Sequence, residues 1–287
     1  MIWLLAAVGV YFVILLAVAL FSLRPFRTPL FISPGILGAP QEEMEIPSTG
    51  GVRLKAWWVP AERAQSVAVL CHGYVMNRSE LTPVAHWLWQ RGISSLIIEF
   101  RAHGKTRGGL STVGFREADD VAAAVAEARR LAPGARVVLV GSSMGSAACA
   151  IAMGRGVEAD ALVLDSCYSR LISAAFGWWR FLGGHVLSFF LGPTVLIAGP
   201  LAGINPFRVD VAQALSKSAG PVLVLHGRQD DLALPSEAER NIAALGSRAE
   251  AVWFDNCGHS EFRWEQPERY YAALEAFLVR HMLMAGK

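Results

Sequence analysis

Six short apolar segments alternate with stretches of helical character, and this alternation most strongly limits how the chain can fold. Strands are predicted at residues 67–71, 94–100, 136–140, 161–165, 222–226 and 251–254, and a β-hairpin near 44–59. Helices are predicted at residues 80–90, 115–131, 144–153, 236–245 and 267–282. Strands that are apolar throughout and alternate with helices indicate a mostly parallel sheet covered on both faces. In such sheets ligands bind at the carboxyl ends of the strands.

The segment after the strand at 136–140 predicts a nucleophile. It reads Gly141-Ser142-Ser143-Met144-Gly145 and leads into an alanine-rich helix. A strand–turn–helix connection this tight needs neighbours without bulk, which leaves the Ser143 hydroxyl exposed above the sheet. An ordinary Gly–Ser turn is the alternative, but the position between a buried strand and a helix favours a catalytic serine.

A serine nucleophile needs a base, and the base needs a group that orients it. His259 follows the last predicted strand in a glycine-containing loop and is predicted as the base. Asp230 and Asp231 follow the strand at 222–226; either can be the acid, and Asp230 is favoured because the strand end holds it more rigidly. Asp165 is a weaker alternative acid. As bases, the other histidines at strand ends would break the chain order Ser, Asp, His: His72, His103 and His226.

Acyl transfer also requires donors that stabilise negative charge on the carbonyl oxygen. The backbone N–H of Met144, which follows the serine, is one candidate. The loop after the strand at 67–71 reads His72-Gly73-Tyr74, and the N–H of Tyr74 is the second candidate. The alternative for this loop is a structural turn.

Five ordered motifs together resemble an α/β-hydrolase of the membrane-anchored serine hydrolase type. They are His72-Gly73-Tyr74 with Asn77-Arg78, Phe100-Arg101-Ala102-His103-Gly104, Gly141-Ser142-Ser143-Met144-Gly145, His226-Gly227-Arg228-Gln229-Asp230 and Gly258-His259. The resemblance covers residues 45–285 and implies the α/β-hydrolase fold, with an eight-stranded, mostly parallel sheet and helices on both faces. It also implies hydrolysis of an ester or thioester through an acyl-serine intermediate. The segment between His226 and Pro235 is one residue longer than in the family pattern. Asp230 keeps the family's distance from His226-Gly227, whereas Asp231 keeps the family's distance to Pro235, so the choice between the two acids stays open.

The N-terminal segment predicts a membrane anchor. Residues 2–21 contain no charged residue and as a helix would span about 30 Å, the thickness of the hydrocarbon core of a bilayer. A cleaved signal peptide is the alternative, although no basic residue precedes the segment. Arg24 and Arg27 follow it, which places the catalytic domain in the cytoplasm by the positive-inside rule. The predicted domains are a transmembrane anchor at 1–23, a linker at 24–43 and a catalytic domain at 44–287.

An apolar insertion at about 168–208 follows the strand at 161–165. From residue 171 to 207 Arg180 is the only Lys, Arg, Asp or Glu, and Gly183-Gly184, Gly192-Pro193 and Gly199-Pro200 interrupt the run. A second transmembrane span at 181–203 is one alternative, but it would separate Ser143 from His259. A lid that lines an acyl pocket or rests on the bilayer interface is the better interpretation, and filling of the core is the third.

These features predict a single-pass membrane serine hydrolase that acts on a small-molecule or lipid-like acyl ester and uses no metal or cofactor. Acyl transfer to another acceptor and peptidase action remain alternatives, as does a non-catalytic membrane module that binds a lipid or protein. A net charge of +2 gives no reason to expect a nucleic acid partner, and the sequence does not indicate an oligomeric state.

Overall fold

The computed structural model describes residues 1–284 and places eight strands in one sheet. The strands are β1 (Glu42–Pro47), β2 (Arg53–Val59), β3 (Ser66–Cys71), β4 (Ser94–Glu99), β5 (Arg136–Ser142), β6 (Ala161–Asp165), β7 (Val222–Gly227) and β8 (Ala249–Phe254). Their order is β1-β2-β4-β3-β5-β6-β7-β8. Only the β1–β2 and β2–β4 pairings are antiparallel among these strands. The mostly parallel eight-stranded sheet of the α/β-hydrolase fold is therefore confirmed.

Ten helices accompany the sheet in the described residues. They are α1 (Ile2–Ser22), α2 (Thr82–Trp89), α3 (Glu117–Leu131), α4 (Met144–Gly154), α5 (Leu171–Leu191), α6 (Val195–Leu201), α7 (Val211–Lys217), α8 (Pro235–Leu245), α9 (Phe262–Glu265) and α10 (Pro267–Arg280). Short 3₁₀ turns lie between several of these elements.

The side chains of the central strands alternate between two hydrophobic cores, as the pleat of a strand requires. On β5, Val137 and Leu139 belong to the core that also contains residues of α3, α4, α7 and α8. Val138 and Val140 belong to the opposite core, which is completed by α2 and α10. Because helices cover both faces of the sheet, a ligand can reach it only at the edge where the strands end.

The insertion between β6 and β7 forms a helical hairpin rather than a straight helix. Within α5, Gly183 and Gly184 leave helical geometry, and Gly184 has φ 71° and ψ −167°. The Ser188 hydroxyl then donates a hydrogen bond to the carbonyl of Phe176, 12 residues earlier, over 2.8 Å. In a straight helix these residues would lie about 18 Å apart, so the chain must turn back at the two glycines.

Helix α1 is largely exposed but packs one stripe against the insertion. Leu15 and Ala19 are buried, and α1 contacts α6. The hydroxyl of Tyr11 donates to the carbonyl of Phe190, over 2.8 Å. By length and composition, α1 and the Leu171–Leu201 stretch are the two described segments that could cross a membrane. Signal sequences share these properties with anchors, so the structure establishes an apolar N-terminal helix, and membrane anchoring stays a prediction.

The sequence-based element boundaries differ from the structure in a few places. Strand β1 begins at Glu42, inside the predicted linker, because pairing with β2 extends to Trp58. Helix α2 begins at Thr82 rather than near residue 80, with Pro83 in its first turn, where the missing N–H of proline is tolerated. Helices α6, α7 and α9, with seven, seven and four residues, lie where no helix is predicted. Helices this short carry too little amphipathic periodicity to be recognised.

Candidate active site

Ser143 occupies a strained position between β5 and α4. Its backbone has φ 50° and ψ −111°, a conformation that residues with a side chain rarely adopt. A Cβ atom on Gly141 would collide with the backbone of Ser146, and one on Gly145 would collide with the carbonyl of Cys71. The two glycines therefore allow the tight turn that lifts the serine above the sheet, as the motif predicts.

His259 and Asp230 lie in line with Ser143. The Nε2 atom of His259 is 2.8 Å from the Oγ atom of Ser143. Its Nδ1 atom is 2.8 Å from the Oδ2 atom of Asp230. Because a carboxylate only accepts hydrogen bonds, this contact requires the proton on Nδ1 and leaves Nε2 free to accept one from the serine. The structure thus brings together three side chains from the ends of β5, β7 and β8.

The backbone holds the carboxylate of Asp230 firmly. Its Oδ1 atom accepts hydrogen bonds from the N–H groups of Leu232 and Ala233, over 2.9 and 2.8 Å. Its side chain is buried, whereas Asp231 is exposed. Asp165 lies elsewhere, with its Oδ1 accepting from the Ser260 hydroxyl over 2.6 Å. Of the three candidate acids, the structure brings Asp230 to the ring of His259.

The loop after β3 lies directly beside Ser143. A Cβ atom on Gly73 would stand 3.6 Å from the Cβ atom of Ser143. Among residues 1–284 the backbone N–H groups of Tyr74 and Met144 have no hydrogen-bond acceptor. Both sequence-predicted donors are therefore free to bind an oxygen atom next to the serine.

A buried charged cluster beneath these loops was not anticipated from the sequence. Arg263, in α9, contacts Glu80 over 2.5 Å and Asp165 over 3.2 Å. Glu80 in turn accepts from the Gly73 N–H over 2.7 Å and from the Ser142 hydroxyl over 2.7 Å. The cluster joins the Gly73 loop, the serine turn and the His259 loop. Arg263 and Glu80 lie 183 residues apart, so no spacing in the sequence reveals their contact.

The guanidinium of Arg263 opposes the effect of burial on two carboxyl groups of this cluster. Burial alone would raise the pKa of Glu80, but the guanidinium of Arg263 and the hydrogen bonds from Gly73 and Ser142 hold that pKa below its ordinary value. Burial raises the pKa of Asp165, although Arg263 opposes the shift. Burial would lower the pKa of Arg263, yet the two carboxyl groups raise it. The guanidinium therefore stays charged and pairs with Glu80 as a carboxylate.

The other histidines at strand ends have structural contacts. Burial lowers the pKa of His72 to about 3, and its Nε2 accepts from the N–H of Phe100 over 3.0 Å. Burial likewise lowers the pKa of His103 and of His226. The ring of His226 lies against the carbonyl of Ala233, over 2.8 Å. These rings are neutral at pH 7, and each forms a hydrogen bond with a backbone group near its strand end.

A cavity of about 500 Å³ opens beside Ser143 and His259. Residues of the insertion line it together with the end of α1, and most of the lining side chains are apolar. No cluster of three or more His, Cys, Asp or Glu side chains that could hold a metal occurs within residues 1–284. The four cysteines are buried and unpaired.

Known proteins resemble this chain in sequence. Residues 68–273 match the alpha/beta hydrolase family. The uncharacterized protein YfhR of Escherichia coli (strain K12) is 29% identical over 196 residues, which cover 66% of this chain and 63% of that protein. YqkD of Bacillus subtilis is 26% identical over 216 residues, covering 69% and 68%. The match to YfhR thus spans less than two thirds of that relative.

Solved structures share the fold. The esterase Pf2001 of Pyrococcus furiosus superposes with a TM-score of 0.74 at 24% identity, covering 90% of this chain and 98% of the esterase. The acylaminoacyl peptidase of Pyrococcus horikoshii gives a TM-score of 0.70 at 15% identity, covering 88% and 44%. At such identities the likeness concerns the architecture and leaves the substrate open.

Proposed function

The chain belongs to the alpha/beta hydrolase family, and from the geometry of its site we propose that it is a serine hydrolase that cleaves a carboxylic ester or thioester through an acyl-serine intermediate. The observation that carries the proposal is the unbroken hydrogen-bonded series from Asp230 through His259 to Ser143, with 2.8 Å at each step. Its open end faces an apolar cavity.

In the first half of the reaction, Ser143 would be the nucleophile. As its Oγ attacks the substrate carbonyl, Nε2 of His259 takes the hydroxyl proton, and Asp230 stabilises the imidazolium through Nδ1–H. The N–H groups of Tyr74 and Met144 bind the oxygen that becomes negative. His259 then gives the proton to the departing alcohol or thiol, which leaves the acyl group on Ser143.

In the second half, water would enter the same position. His259 removes a proton from the water as its oxygen attacks the acyl carbonyl, and the same two N–H groups hold the oxyanion. The proton returns to Oγ of Ser143, and the carboxylic acid leaves. Every proton transfer uses a group in the site, so the proposed reaction needs only ester and water.

The strained backbone of Ser143 supports this assignment. The combination of φ 50° with ψ −111° lies outside the ordinary left-handed region and costs on the order of 1–3 kcal/mol. In the proposed enzyme that cost is offset by a hydroxyl held above the sheet, within reach of both His259 and the oxyanion donors.

The proposal includes the membrane. Helix α1 anchors the enzyme in a bilayer, and Arg24 and Arg27 mark the cytoplasmic side, on which the catalytic domain lies. The exposed apolar surface of α1 supports this part of the proposal, since that surface requires a cover.

Replacement of the nucleophile tests the proposal. Ser143→Ala should reduce hydrolysis of p-nitrophenyl butyrate by at least about 10⁴-fold, because the acyl-enzyme cannot form. Ser142→Ala is the matched control: it removes a neighbouring hydroxyl that bonds to Glu80 and Arg263 and not to His259. It should lower activity by about thirtyfold at most, the value of two hydrogen bonds of about 1 kcal/mol each. Undiminished turnover by Ser143→Ala would contradict the proposal.

A further inference from the structure

The cavity beside Ser143 is suited to a chain without charge. It is lined by Leu171, Ala174, Trp178, Val195, Ala198 and other apolar side chains. Glu80 and Arg263 also line it, but they pair with each other over 2.5 Å, and so offer no net charge to a ligand. A cavity of about 500 Å³ lies within the range of ligand-binding pockets. Its lining therefore favours a flexible apolar group.

The end of α1 forms part of the cavity wall. Ser22 and Leu23 line the cavity. The hydroxyl of Tyr74 donates to the carbonyl of Ser22 over 2.8 Å, and the N–H of Ser111 donates to the carbonyl of Leu23 over 2.9 Å. The last turn of α1 is thus attached to the loop that carries a proposed oxyanion donor, and the cavity extends from Ser143 to the N-terminal helix.

Three aromatic side chains mark the mouth of the cavity. Phe31, Phe181 and Trp264 line it, yet their exposed fractions are 59%, 51% and 60%. A side chain that lines a cavity and is more than half exposed lies where the cavity meets the exterior. The three residues come from the segment after α1, from the insertion and from α9. Of the three, Trp264 is of a residue type that is enriched at the interface between membrane and water.

The exterior around this mouth is continuous with α1. On the insertion, Val186, Phe189 and Phe190 are exposed, and Tyr11 of α1 bonds to the carbonyl of Phe190. Arg180 is turned toward the protein, where its guanidinium donates to the carbonyls of Asp231 and Leu232. The apolar helix and the apolar insertion hence present one surface, and a bilayer that holds α1 also covers the insertion.

From these contacts we propose that the substrate is a membrane lipid ester whose acyl chain passes from the bilayer through the mouth formed by Phe31, Phe181 and Trp264 into the cavity. The inference rests on the proposed hydrolase function of Ser143. The ester carbonyl stops at Ser143, and the acyl chain lies between the end of α1 and the insertion. Water completes the reaction, which yields a fatty acid and the rest of the lipid as an alcohol.

Surface dilution tests the route of entry. The full-length protein is reconstituted in phosphatidylcholine vesicles that contain 4-methylumbelliferyl oleate, with bulk ester concentration fixed and phosphatidylcholine increased. The rate should fall in proportion to the mole fraction of the oleate ester in the bilayer, while the rate on the soluble butyrate ester should stay constant. An oleate rate that follows only the bulk concentration overturns the proposal.

Chain length tests the cavity. For water-soluble esters from acetate to octanoate, kcat/KM should rise by up to about fourfold for each methylene that leaves water. Ala198 and Ala175 both line the cavity. Replacement of either by tryptophan places an indole there and should lower the octanoate-to-butyrate ratio of kcat/KM at least tenfold. Leu196→Trp, on the exposed side of α6, should leave that ratio unchanged.

The lipid substrate and the serine hydrolase activity can be overturned separately. Butyrate hydrolysis that depends on Ser143, with no rise toward octanoate and no effect of the two tryptophans on the ratio, overturns the lipid substrate and leaves the serine hydrolase intact. Absence of hydrolysis dependent on Ser143 for every ester overturns both.

Discussion

Asp230 shows how a single buried carboxylate can orient a base. One oxygen is occupied by two backbone N–H groups, and the other faces Nδ1 of His259. Rotation of the carboxylate would break three hydrogen bonds at once. The imidazole is therefore fixed in the tautomer whose Nε2 can take a proton from Ser143.

An amide at this position should impair catalysis while the fold is retained. Asp230→Asn preserves the shape but can present an N–H to His259, which favours the wrong tautomer, so we expect kcat to fall about 10⁴-fold. Asp231→Asn is the matched control, because its exposed side chain lies outside the hydrogen-bonded series. Its kcat should stay within about twofold of the wild type, given the small effect of an exposed substitution. Steady-state kinetics with p-nitrophenyl butyrate distinguish the two variants. Equal losses of kcat in both would contradict the assignment of Asp230 as the acid that orients His259.

At the scale of elements, the helical hairpin of α5 controls the shape of the cavity. The turn at Gly183 and Gly184 folds Ser188 back onto Phe176 and allows Trp178 on one side and Val195 on the other to face the same space. The conformation of Gly184 is nearly exclusive to glycine. The sequence marks the break, but the direction of the fold-back depends on packing with α1 and the rest of the fold.

Gly184→Ala should disturb the hairpin through its backbone. No atom lies within 4 Å of the added Cβ, so the cost is conformational strain of about 1–3 kcal/mol. Gly246, with φ 60° and ψ −129° at the end of α8, provides the matched control. Urea unfolding should show comparable destabilisation for both variants. Only Gly184→Ala should lower the octanoate-to-butyrate ratio of kcat/KM; an equal change with Gly246→Ala would exclude a special role for the hairpin.

At the scale of the whole molecule, the Arg263 cluster joins segments from distant parts of the chain. Through Glu80 it reaches the Gly73 loop, and through Asp165 and Ser260 it reaches the loop of His259. The two halves of the proposed site, the Gly73 loop with its oxyanion donor and the loop of the proposed base, are thus held by one guanidinium. We expect the cluster to position both halves rather than to contact the substrate carbonyl.

Arg263→Met should be strongly destabilising at neutral pH, by about 3–5 kcal/mol, because it leaves buried carboxyl groups without their partner. With Arg263 present the pKa of Glu80 is lowered, so its contribution to stability exists above the unfolded pKa and is lost as pH falls through the folded value. In the variant, burial should raise the pKa of Glu80, and protonation should then favour the folded state.

The gap in unfolding free energy between wild type and Arg263→Met should therefore narrow as pH falls from 7 to 4, as measured by urea denaturation of the full chain in detergent. Arg180→Met is the control, since Arg180 bonds to backbone carbonyls that do not titrate. The difference in unfolding free energy between wild type and Arg180→Met should be small and independent of pH. A constant gap for Arg263→Met would show that the pairing with Glu80 contributes little.

The sheet and the residues at its edge could be predicted because their signals are local. A buried strand shows as an apolar run, and the turn at Ser143 shows as two glycines around a serine. The sequence favours Asp230 over Asp231 without deciding between them, and the structure brings Asp230 to His259 through the turn to Ala233. Two features could not be read from the sequence because they depend on packing between distant segments. The Arg263 cluster and the contact of Tyr74 with the end of α1 join segments far apart in sequence.

The central claim is that His259 and Asp230 activate Ser143 as a nucleophile. Treatment of the full-length protein with a fluorophosphonate, followed by mass spectrometry of its peptides, tests it directly. The account predicts one phosphonyl group per chain, on Ser143, and labelling that is strongly slowed in His259→Ala. An unlabelled Ser143, a label on another residue, or equal labelling of His259→Ala would contradict it.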